Sequence, residues 1–417
     1  MKEKIRTISL ANNYVFTRSI KLCCLFFSLS LSFFQGYTQE TPVQISGLVI
    51  DSETKTPLPG ANVYLEQTTV GTVTTDSGTF VLNIPAGNYN VIVSYVGYKP
   101  FSAPAYKDKN NQLVAALIPD IKMLNEVAIT VDPNWPEYFS LFKMFFLGKN
   151  SNQCEILNPK VLTFNYTKGT YILTAEASQP LIIENRALGY KLHYDLTSFI
   201  HYTGRTSYTG FTRFEELPAV KSKEKKLWRT NREQFYLGSP NHFMHSLISN
   251  QSPKDQFIIK KLDKRQKLPV TCTLLGKWPE NGFQSTDTIV TLTQKVDYPS
   301  PDNMATPSGN IANTKSKVEY NVLYPGEVQP GSIVTPTETA NIFKVSFDHS
   351  LFVAFKNKTA TNTSIITMLA PYALADTKGN LENPNALLYE GYWGTLRVGD
   401  QLPIDYIPEN SRLKKVK

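Results

Sequence analysis

The stretch TTDSGTFVLNIPAGNY, residues 74–89, places a glycine-containing turn on each side of an alternating apolar run. In the first turn Gly78 can adopt the positive φ that other residues avoid, and the Asp76 carboxylate can accept backbone N–H bonds. Between the turns, every second residue is large and apolar and shares one face of a strand: Phe80, Leu82 and Ile84. The pattern predicts a strand bounded by two tight turns.

The same period of two continues on both sides of this stretch. Three further sets of alternate apolar or small residues predict strand faces: Ile45, Gly47 and Val49; Ala61, Val63 and Leu65; Tyr89, Val91 and Val93. Several short strands separated by Gly- and Pro-containing turns are typical of a β-sandwich. The sequence therefore predicts a sandwich over residues 44–130.

The order of motifs in this region resembles the carboxypeptidase regulatory-like domain. The motifs are G-x-V-x-D at 47–51, PLPGANV at 57–63, TTDSGTF at 74–80, P-x-G-x-Y at 85–89, Val-Gly-Tyr at 96–98 and an L-x-E-V exit at 124–127. The resemblance implies a seven-stranded, transthyretin-like sandwich without catalytic activity. Such domains stand at the front of many exported envelope proteins of Bacteroidetes-type bacteria, outer-membrane nutrient receptors among them.

The peptidase activity in the name of that family is not expected here. A zinc carboxypeptidase needs a His-x-x-Glu pair that converges on the metal together with a further histidine. None of the five histidines is followed three residues later by Glu: His193, His201, His242, His245 and His349. We therefore expect no metal, no cofactor and no catalytic residue in the front domain.

The first 38 residues have the features of a signal peptide. A basic segment ending at Lys21 runs into LCCLFFSLSLSFF, and Gly36 and Thr38 offer small residues for cleavage before Gln39. A buried N-terminal helix is the alternative. We expect an exported protein, periplasmic or associated with the outer membrane, with no transmembrane segment in the mature chain. The residues before Cys23 do not favour a lipoprotein anchor.

The charge balance does not indicate nucleic-acid binding. The formal charge is +8, but without residues 1–38 the chain holds 38 basic and 34 acidic residues. An excess of this size is no nucleic-acid footprint. We interpret the charged run at 221–229 as a surface loop.

Residues 132–417 predict a second, mainly antiparallel β domain with two or three helices. A Pro-containing linker at 132–136 precedes a short helix that ends at Gly148, and alternating segments follow from Val161. The pattern of residues 228–250 predicts a helix with a break at 238–240. Further strands are predicted at 286–296, 317–324, 342–356 and 363–369. Parts of this region resemble the uncharacterised portion of other exported proteins that begin with the same domain.

Two membrane architectures are alternatives to a globular β domain in this region. A nutrient receptor needs a plug and a barrel of about 22 strands, whereas 287 residues follow Thr130. A smaller outer-membrane barrel stays an alternative, because aromatic-rich alternating segments are typical of one. The polar tract at 298–316 and the predicted helices favour the globular β domain.

Several side chains are candidates for chemistry, and each has a simpler structural role as its alternative. His242 and His245 have a helical spacing that can present two nitrogens to a metal, but no third ligand is fixed. Glu215 and Glu216 are adjacent on a strand, so their side chains point to opposite sides. Cys154 and Cys272 either form a disulfide or stay free.

Aromatic residues make up 12% of the chain, and exposed ones can stack on sugars. The candidates are Trp135, Trp228, Trp278, Tyr392 and Trp393, of which Tyr392 and Trp393 are preferred. We expect binding or scaffolding at the envelope, with a glycan or a protein as ligand. A hydrolase such as a glycosidase, sited in the C-terminal domain, is the alternative.

Overall fold

The computed structural model describes residues 43–85, 87, 89–105, 112–120, 132–202, 205–266, 289–294, 318–339, 341–356 and 361–408, with the backbone alone at 264–266, 289–294 and 318–322. Residues 42–409 belong to one compact unit. The predicted signal peptide, the L-x-E-V exit, Cys272 and Trp278 lie outside the described residues.

The fold is mainly β, as predicted, and begins with a sandwich of seven strands: β1 (Val43–Asp51), β2 (Asn62–Leu65), β3 (Gly71–Val73), β4 (Thr79–Ile84), β5 (Asn90–Ser94), β6 (Phe101–Pro104) and β7 (Gln112–Leu117). One sheet has the order β4-β1-β7 and the other β3-β2-β5-β6. Strands β1 and β7 run parallel, and the other pairs in these sheets are antiparallel. The seven-stranded sandwich expected from the resemblance is therefore confirmed.

The sandwich core contains the alternate apolar residues that the sequence pattern predicts to face inward. The inward faces of β1, β2, β4 and β5 are buried together: Ile45, Val49, Val63, Leu65, Phe80, Leu82, Ile84, Val91 and Val93. Gly78 has φ +72°, and a Cβ there would lie 2.7 Å from the Val49 carbonyl oxygen, so glycine is required. In this turn the Thr75 hydroxyl, rather than Asp76, accepts the Thr79 N–H.

A second layer follows the linker, which ends at Asn134 rather than at the predicted Pro136 because a helix begins at Trp135. It consists of helix α1 (Trp135–Leu147) and strands β8 (Cys154–Ile156), β9 (Leu162–Thr167), β10 (Ile172–Ala177), β11 (Leu181–Asn185), β12 (Tyr190–Tyr202) and β13 (Arg205–Glu216). The sheet order is β8-β11-β12-β10-β9, and β13 pairs with the other edge of β12. Phe142 and Phe146 of α1 pack into the core of this sheet. The helix ends at Gly148, as predicted, with φ +78° at that residue.

Two helices connect this sheet to the last part of the chain: α2 (Ser222–Tyr236) and α3 (Pro240–Ile248). The predicted break at 238–240 separates them. The loop predicted at 221–229 is wrong, because α2 begins at Ser222. Its charged residues face solvent while Trp228 is buried, which is the division that an amphipathic helix produces. Arg232 fixes α2 to the sheet by donating to the Leu188 and Gly189 carbonyls.

The remaining strands are β14 (Phe257–Gln266), β15 (Ile289–Gln294), β16 (Val318–Glu327), β17 (Val334–Pro336), β18 (Ile342–Val345), β19 (Ser350–Lys356), β20 (Thr361–Met368), β21 (Ala373–Asp376) and β22 (Leu387–Gly391). They form a six-stranded sheet, β15-β16-β14-β19-β20-β22, and a small sheet, β17-β18-β21. Helix α3 packs on this layer through Phe243, Met244 and Leu247. All strand pairs described after residue 132 are antiparallel.

Candidate functional site

A cavity of about 680 Å³ lies where the sandwich meets the C-terminal part of the chain. The sandwich contributes the ends of β2 and β5, with Glu66, Gln67 and Asn90. The opposite walls come from the start of α3 and from residues between 374 and 404. The volume is in the range of small-ligand sites in proteins. This cavity is therefore the candidate functional site.

Main-chain hydrogen bonds hold the sandwich in place beside the cavity. The Gln67 N–H donates to the Thr212 carbonyl of β13 at 2.7 Å, and the Phe214 N–H donates to the Thr68 carbonyl at 2.9 Å. From the C-terminal segment, the Ile404 N–H donates to the Gln67 carbonyl at 2.9 Å. The turn after β2 is thus attached both to the edge of the second sheet and to residues near the end of the described chain.

A partly buried carboxyl group makes a second contact between these layers. Asp195 of β12 accepts hydrogen bonds from the Tyr64 hydroxyl at 2.7 Å and from the Ser94 hydroxyl at 2.9 Å. Burial raises the pKa of Asp195, and the two hydroxyl donors partly oppose that rise. Burial and the nearby Asp195 also raise the pKa of Tyr64. Both oxygens of this carboxyl have a protein donor, so Asp195 has a structural role in joining the layers.

Glu66 differs from Asp195 because it lines the cavity. Its carboxyl accepts a hydrogen bond from the Asn90 side-chain amide at 3.0 Å. Burial raises the pKa of Glu66, and the Asn90 bond opposes the rise. A partly buried carboxyl beside an amide offers hydrogen-bonding capacity to a ligand in the cavity.

Asp400 also lines the cavity, but its oxygens have protein partners. It accepts the Arg397 N–H at 2.9 Å and the Asn150 side-chain amide at 2.7 Å. Burial raises its pKa, and these bonds oppose the rise. Asp400 thereby caps the turn that begins at Arg397 and positions the cavity wall.

Both preferred stacking residues line the cavity. Trp393 is 5% exposed, belongs to the core of the third layer, and donates its indole N–H to the Gly238 carbonyl at 2.7 Å. Tyr392 is partly exposed, and burial raises its pKa. The fixed indole is a wall of the cavity, whereas the Tyr392 ring has more freedom to meet a ligand. A stacking role for either residue stays a prediction.

Two of the other tryptophans considered from the sequence, Trp135 and Trp228, have partners in the protein. Trp135 stacks on Phe139 and donates its indole N–H to the Leu162 carbonyl. Trp228 is buried and donates to the Arg186 carbonyl at 2.9 Å. Both contacts fix these indoles against the second sheet.

His242 and His245 lie on α3, as the sequence predicts, but each ring has a protein partner. The Nδ1 atom of His242 accepts the Gly238 N–H at 3.0 Å, and burial lowers the pKa of His242 to about 4. His245 donates from Nδ1 to the Thr377 carbonyl at 2.9 Å. Across the part of the chain that the structure describes, no group of three or more His, Cys, Asp or Glu residues is placed to hold a metal.

Glu215 and Glu216 point to opposite sides of β13, as predicted. Glu215 contacts His193 at 3.2 Å, and this hydrogen bond lowers the pKa of Glu215. Glu216 pairs with Arg232 at 2.7 Å. Cys154 is buried, and burial raises the pKa of its thiol to about 12. Both alternatives, a disulfide to Cys272 and two free thiols, stay open because Cys272 lies outside the described residues.

The sandwich residues of this site could not be identified from the sequence. Glu66, Gln67 and Asn90 are isolated polar residues next to strands, a pattern that surface turns share. One sequence feature indicates that the outer face of β2 and β5 is covered. Both strands are apolar without interruption, and strands covered on both faces lose their alternation.

None of the described helices is long and apolar enough to cross a membrane.

Comparison with known proteins identifies the front of the chain. A family model for the CarboxypepD_reg-like domain matches residues 45–129, an interval that holds β2–β7 and most of β1. Over 87 residues the chain is 34% identical to the TonB-dependent receptor SusC of Bacteroides thetaiotaomicron. That alignment covers 21% of this chain and 8% of the receptor. The likeness to the receptor therefore concerns a small part of its length.

A solved structure of a membrane-associated protein of unknown function from Bacteroides fragilis NCTC 9343 aligns with 81% of this chain and 94% of its own. The sequence identity is 9% and the TM-score is 0.16, a value too low to indicate a shared fold. The family model and the seven observed strands agree with each other independently of that alignment. Residues 45–129 of this chain are therefore a CarboxypepD_reg-like domain.

Proposed function

We propose that this chain is a non-catalytic binding protein of the cell envelope and that the cavity holds its ligand, for which a glycan is the best-supported class. The observation that carries the proposal is the composition of the cavity wall. Tyrosine and tryptophan rings share the wall with amide and carboxyl groups, including Tyr392, Trp393, Asn90 and Glu66. Sugars present both apolar ring faces and hydroxyl groups, and this combination of side chains matches both.

A protein segment is the second ligand class that fits the proposal. The apolar contribution of Phe235, Met244 and Leu402 to the wall would suit peptide side chains. The polar groups around Glu66 nevertheless lie together on the sandwich side, where a ligand rich in hydroxyl groups gains most from them. We therefore place the glycan first.

The envelope location rests on the front of the chain. The CarboxypepD_reg-like domain and the partial likeness to a TonB-dependent receptor support an envelope protein. The signal-peptide pattern of residues 1–38 adds export to the periplasm or to the outer membrane. Cell fractionation is expected to recover the protein with the envelope and without residues 1–38. Recovery of the uncleaved chain in the cytosol would contradict this location.

A glycan array with the purified protein tests the binding function. Tyr392→Ala is expected to weaken binding of any retained glycan by about five- to tenfold, the loss of one stacking contact. Tyr372→Ala is the matched control, because Tyr372 is 46% exposed and is not part of the cavity wall. Equal binding by the two variants would remove the cavity from the proposal, and an array without any retained glycan would reject glycan binding.

The hydrolase alternative has one observation in its favour. Glu66 and Asp400 line the same cavity, and burial raises the pKa of both carboxyls, as a general acid requires. Because Asp400 is occupied in capping a turn, Glu66 is the acid to test. Release of reducing ends from a retained glycan, lost in Glu66→Gln while binding persists, would favour hydrolysis over binding alone.

A further inference from the structure

We infer that Gln67 is a ligand-binding residue of the cavity and that its side-chain amide recognises hydroxyl groups of an uncharged sugar. The inference rests on the proposed function and adds to it a specific residue and a charge class of ligand. Gln67 follows directly after Glu66 and lies in the cavity wall where the sandwich meets β13.

The backbone of Gln67 is in an unfavourable conformation. Its φ is +58°, in the left-handed region where a side chain with a Cβ is strained. Glycine adopts this region without that strain, and Asn is the commonest alternative, whereas Gln has no such preference. Of the seven described non-glycine residues with positive φ, Gln67 is the one in the cavity wall. Strain kept at a binding site points to a function for the side chain that causes it.

Hydrogen bonding explains which group of Gln67 is available. Its N–H donates to the Thr212 carbonyl and its carbonyl accepts the Ile404 N–H, so both main-chain groups are used. The side-chain amide makes no hydrogen bond to another described residue. The polar group that Gln67 can offer to the cavity is therefore its amide, which both donates and accepts.

The neighbouring groups define the class of ligand. Glu66 and Asn90 add a carboxyl and an amide beside Gln67. The described wall residues include Glu66, Glu382 and Asp400 but no Lys, Arg or His. Lys378, outside the wall, donates to the hydroxyl of the wall residue Tyr89 at 3.3 Å. Amides and carboxyls without a facing cation suit hydroxyl groups and disfavour a carboxylate or sulfate on the ligand.

Isothermal titration calorimetry with neutral hexasaccharides from xylan, mannan and β-1,3-glucan tests the inference. For a hexasaccharide that binds, Gln67→Gly is expected to raise Kd about tenfold, as expected for one lost hydrogen bond. The melting temperature of the Gln67→Gly variant is expected to stay unchanged or to rise, because glycine removes the backbone strain of the left-handed conformation. A hexasaccharide carrying glucuronic acid is expected to bind more weakly than its unsubstituted counterpart.

Lys55→Gly is the matched control. Lys55 has φ +60° in an exposed turn and is not a wall residue, so it gives the same backbone relief without a change in Kd. If Gln67→Gly binds as tightly as the unmodified protein, or if it melts lower while Lys55→Gly does not, the assignment of Gln67 is wrong and the proposed function stands. If the unmodified protein binds no sugar on the array or in the calorimeter, both the assignment of Gln67 and glycan binding by the cavity are wrong.

Discussion

The two sheets of the sandwich are alike on their inner faces and opposite on their outer faces. In the β4-β1-β7 sheet the outward residues meet solvent, with Val81 54% exposed and Val114 61% exposed. In the β3-β2-β5-β6 sheet the outward residues of the two central strands are covered, with Tyr64 2% exposed and Ile92 0% exposed, whereas Val73 on the edge strand β3 is 57% exposed. Tyr64 and Ile92 do not belong to the sandwich core, so the rest of the chain covers them.

The sequences of the strands show this difference. In β4, TFVLNI, exposed and buried residues alternate without exception. In β5, NVIVS, the last four residues are all buried, and in β2, NVYL, the last three are. A strand that is covered on both faces loses the period of two, as parallel sheets between helices do. An uninterrupted apolar strand in a sandwich therefore indicates a face on which another part of the protein packs.

Introducing a charge on each outer face should give the largest contrast. Ile92→Asp is expected to lower the free energy of unfolding by more than about 3 kcal/mol, because the carboxylate is buried without a partner. Val81→Asp is expected to cost about 1 kcal/mol or less, the effect of a poor strand former in solvent. Urea unfolding followed by tryptophan fluorescence measures both.

Truncation to alanine tests the same contrast if Ile92→Asp does not fold. Ile92→Ala should cost about 2–5 kcal/mol as a buried deletion, and Val81→Ala about 1 kcal/mol or less. Similar losses for the two alanine variants would mean that the outer face of β5 is not covered in solution.

The next largest loss in the free energy of unfolding is expected from replacing Asp195, which contacts the covered face. Asp195→Ala removes the acceptor of two buried hydroxyls, those of Tyr64 and Ser94. We expect a loss of about 2–4 kcal/mol in the free energy of unfolding, because each unsatisfied buried group costs about 1–3 kcal/mol. Asp76→Ala, at an exposed turn of the same sandwich, should change stability by about 0.5 kcal/mol or less. A loss in Asp195→Ala no larger than in this control would show that the contact is not maintained.

Much of the sandwich could be predicted from its sequence because its turns and inner faces are determined locally. Gly78 and the alternation from Phe80 to Ile84 need no information from distant residues. The length of β12 was less predictable, because the strand continues through a bulge between Leu196 and Ser198 while β13 pairs along it. Strands such as β14 and β21 were not predicted, since partners distant in sequence determine them.

The site was less predictable than the fold for the same reason. Tyr392 and Trp393 were identified by residue type, and they do line the cavity. Their position beside Glu66 and Gln67 depends on contacts across more than 300 residues, such as that between Gln67 and Ile404. A left-handed Gln67 has no sequence signature, because Gln is not a residue that marks this conformation.

The smallest expected effect is the pH dependence that Asp195, at the covered face, gives to the free energy of unfolding. Burial raises the pKa of Asp195 above its ordinary value of 3.8, so the folded state holds this proton more tightly than the unfolded state. The stability gained from that proton is fully present below pH 3.8 and is lost as the pH rises through the raised pKa. Asp195→Asn has no proton to lose, so the unmodified protein should gain stability relative to this variant as the pH falls from 7 towards 4.

Urea unfolding of both proteins at several pH values measures this difference, in which the other titrating groups largely cancel. A difference that stays constant with pH, or that moves in the opposite direction, would mean that Asp195 is hydrated in solution. Val81→Asn should leave the pH profile of the unmodified protein unchanged, because the outer face of β4 is exposed to water and carries no buried proton. A pH response confined to Asp195→Asn would therefore locate the titrating group on the sheet that the rest of the chain covers.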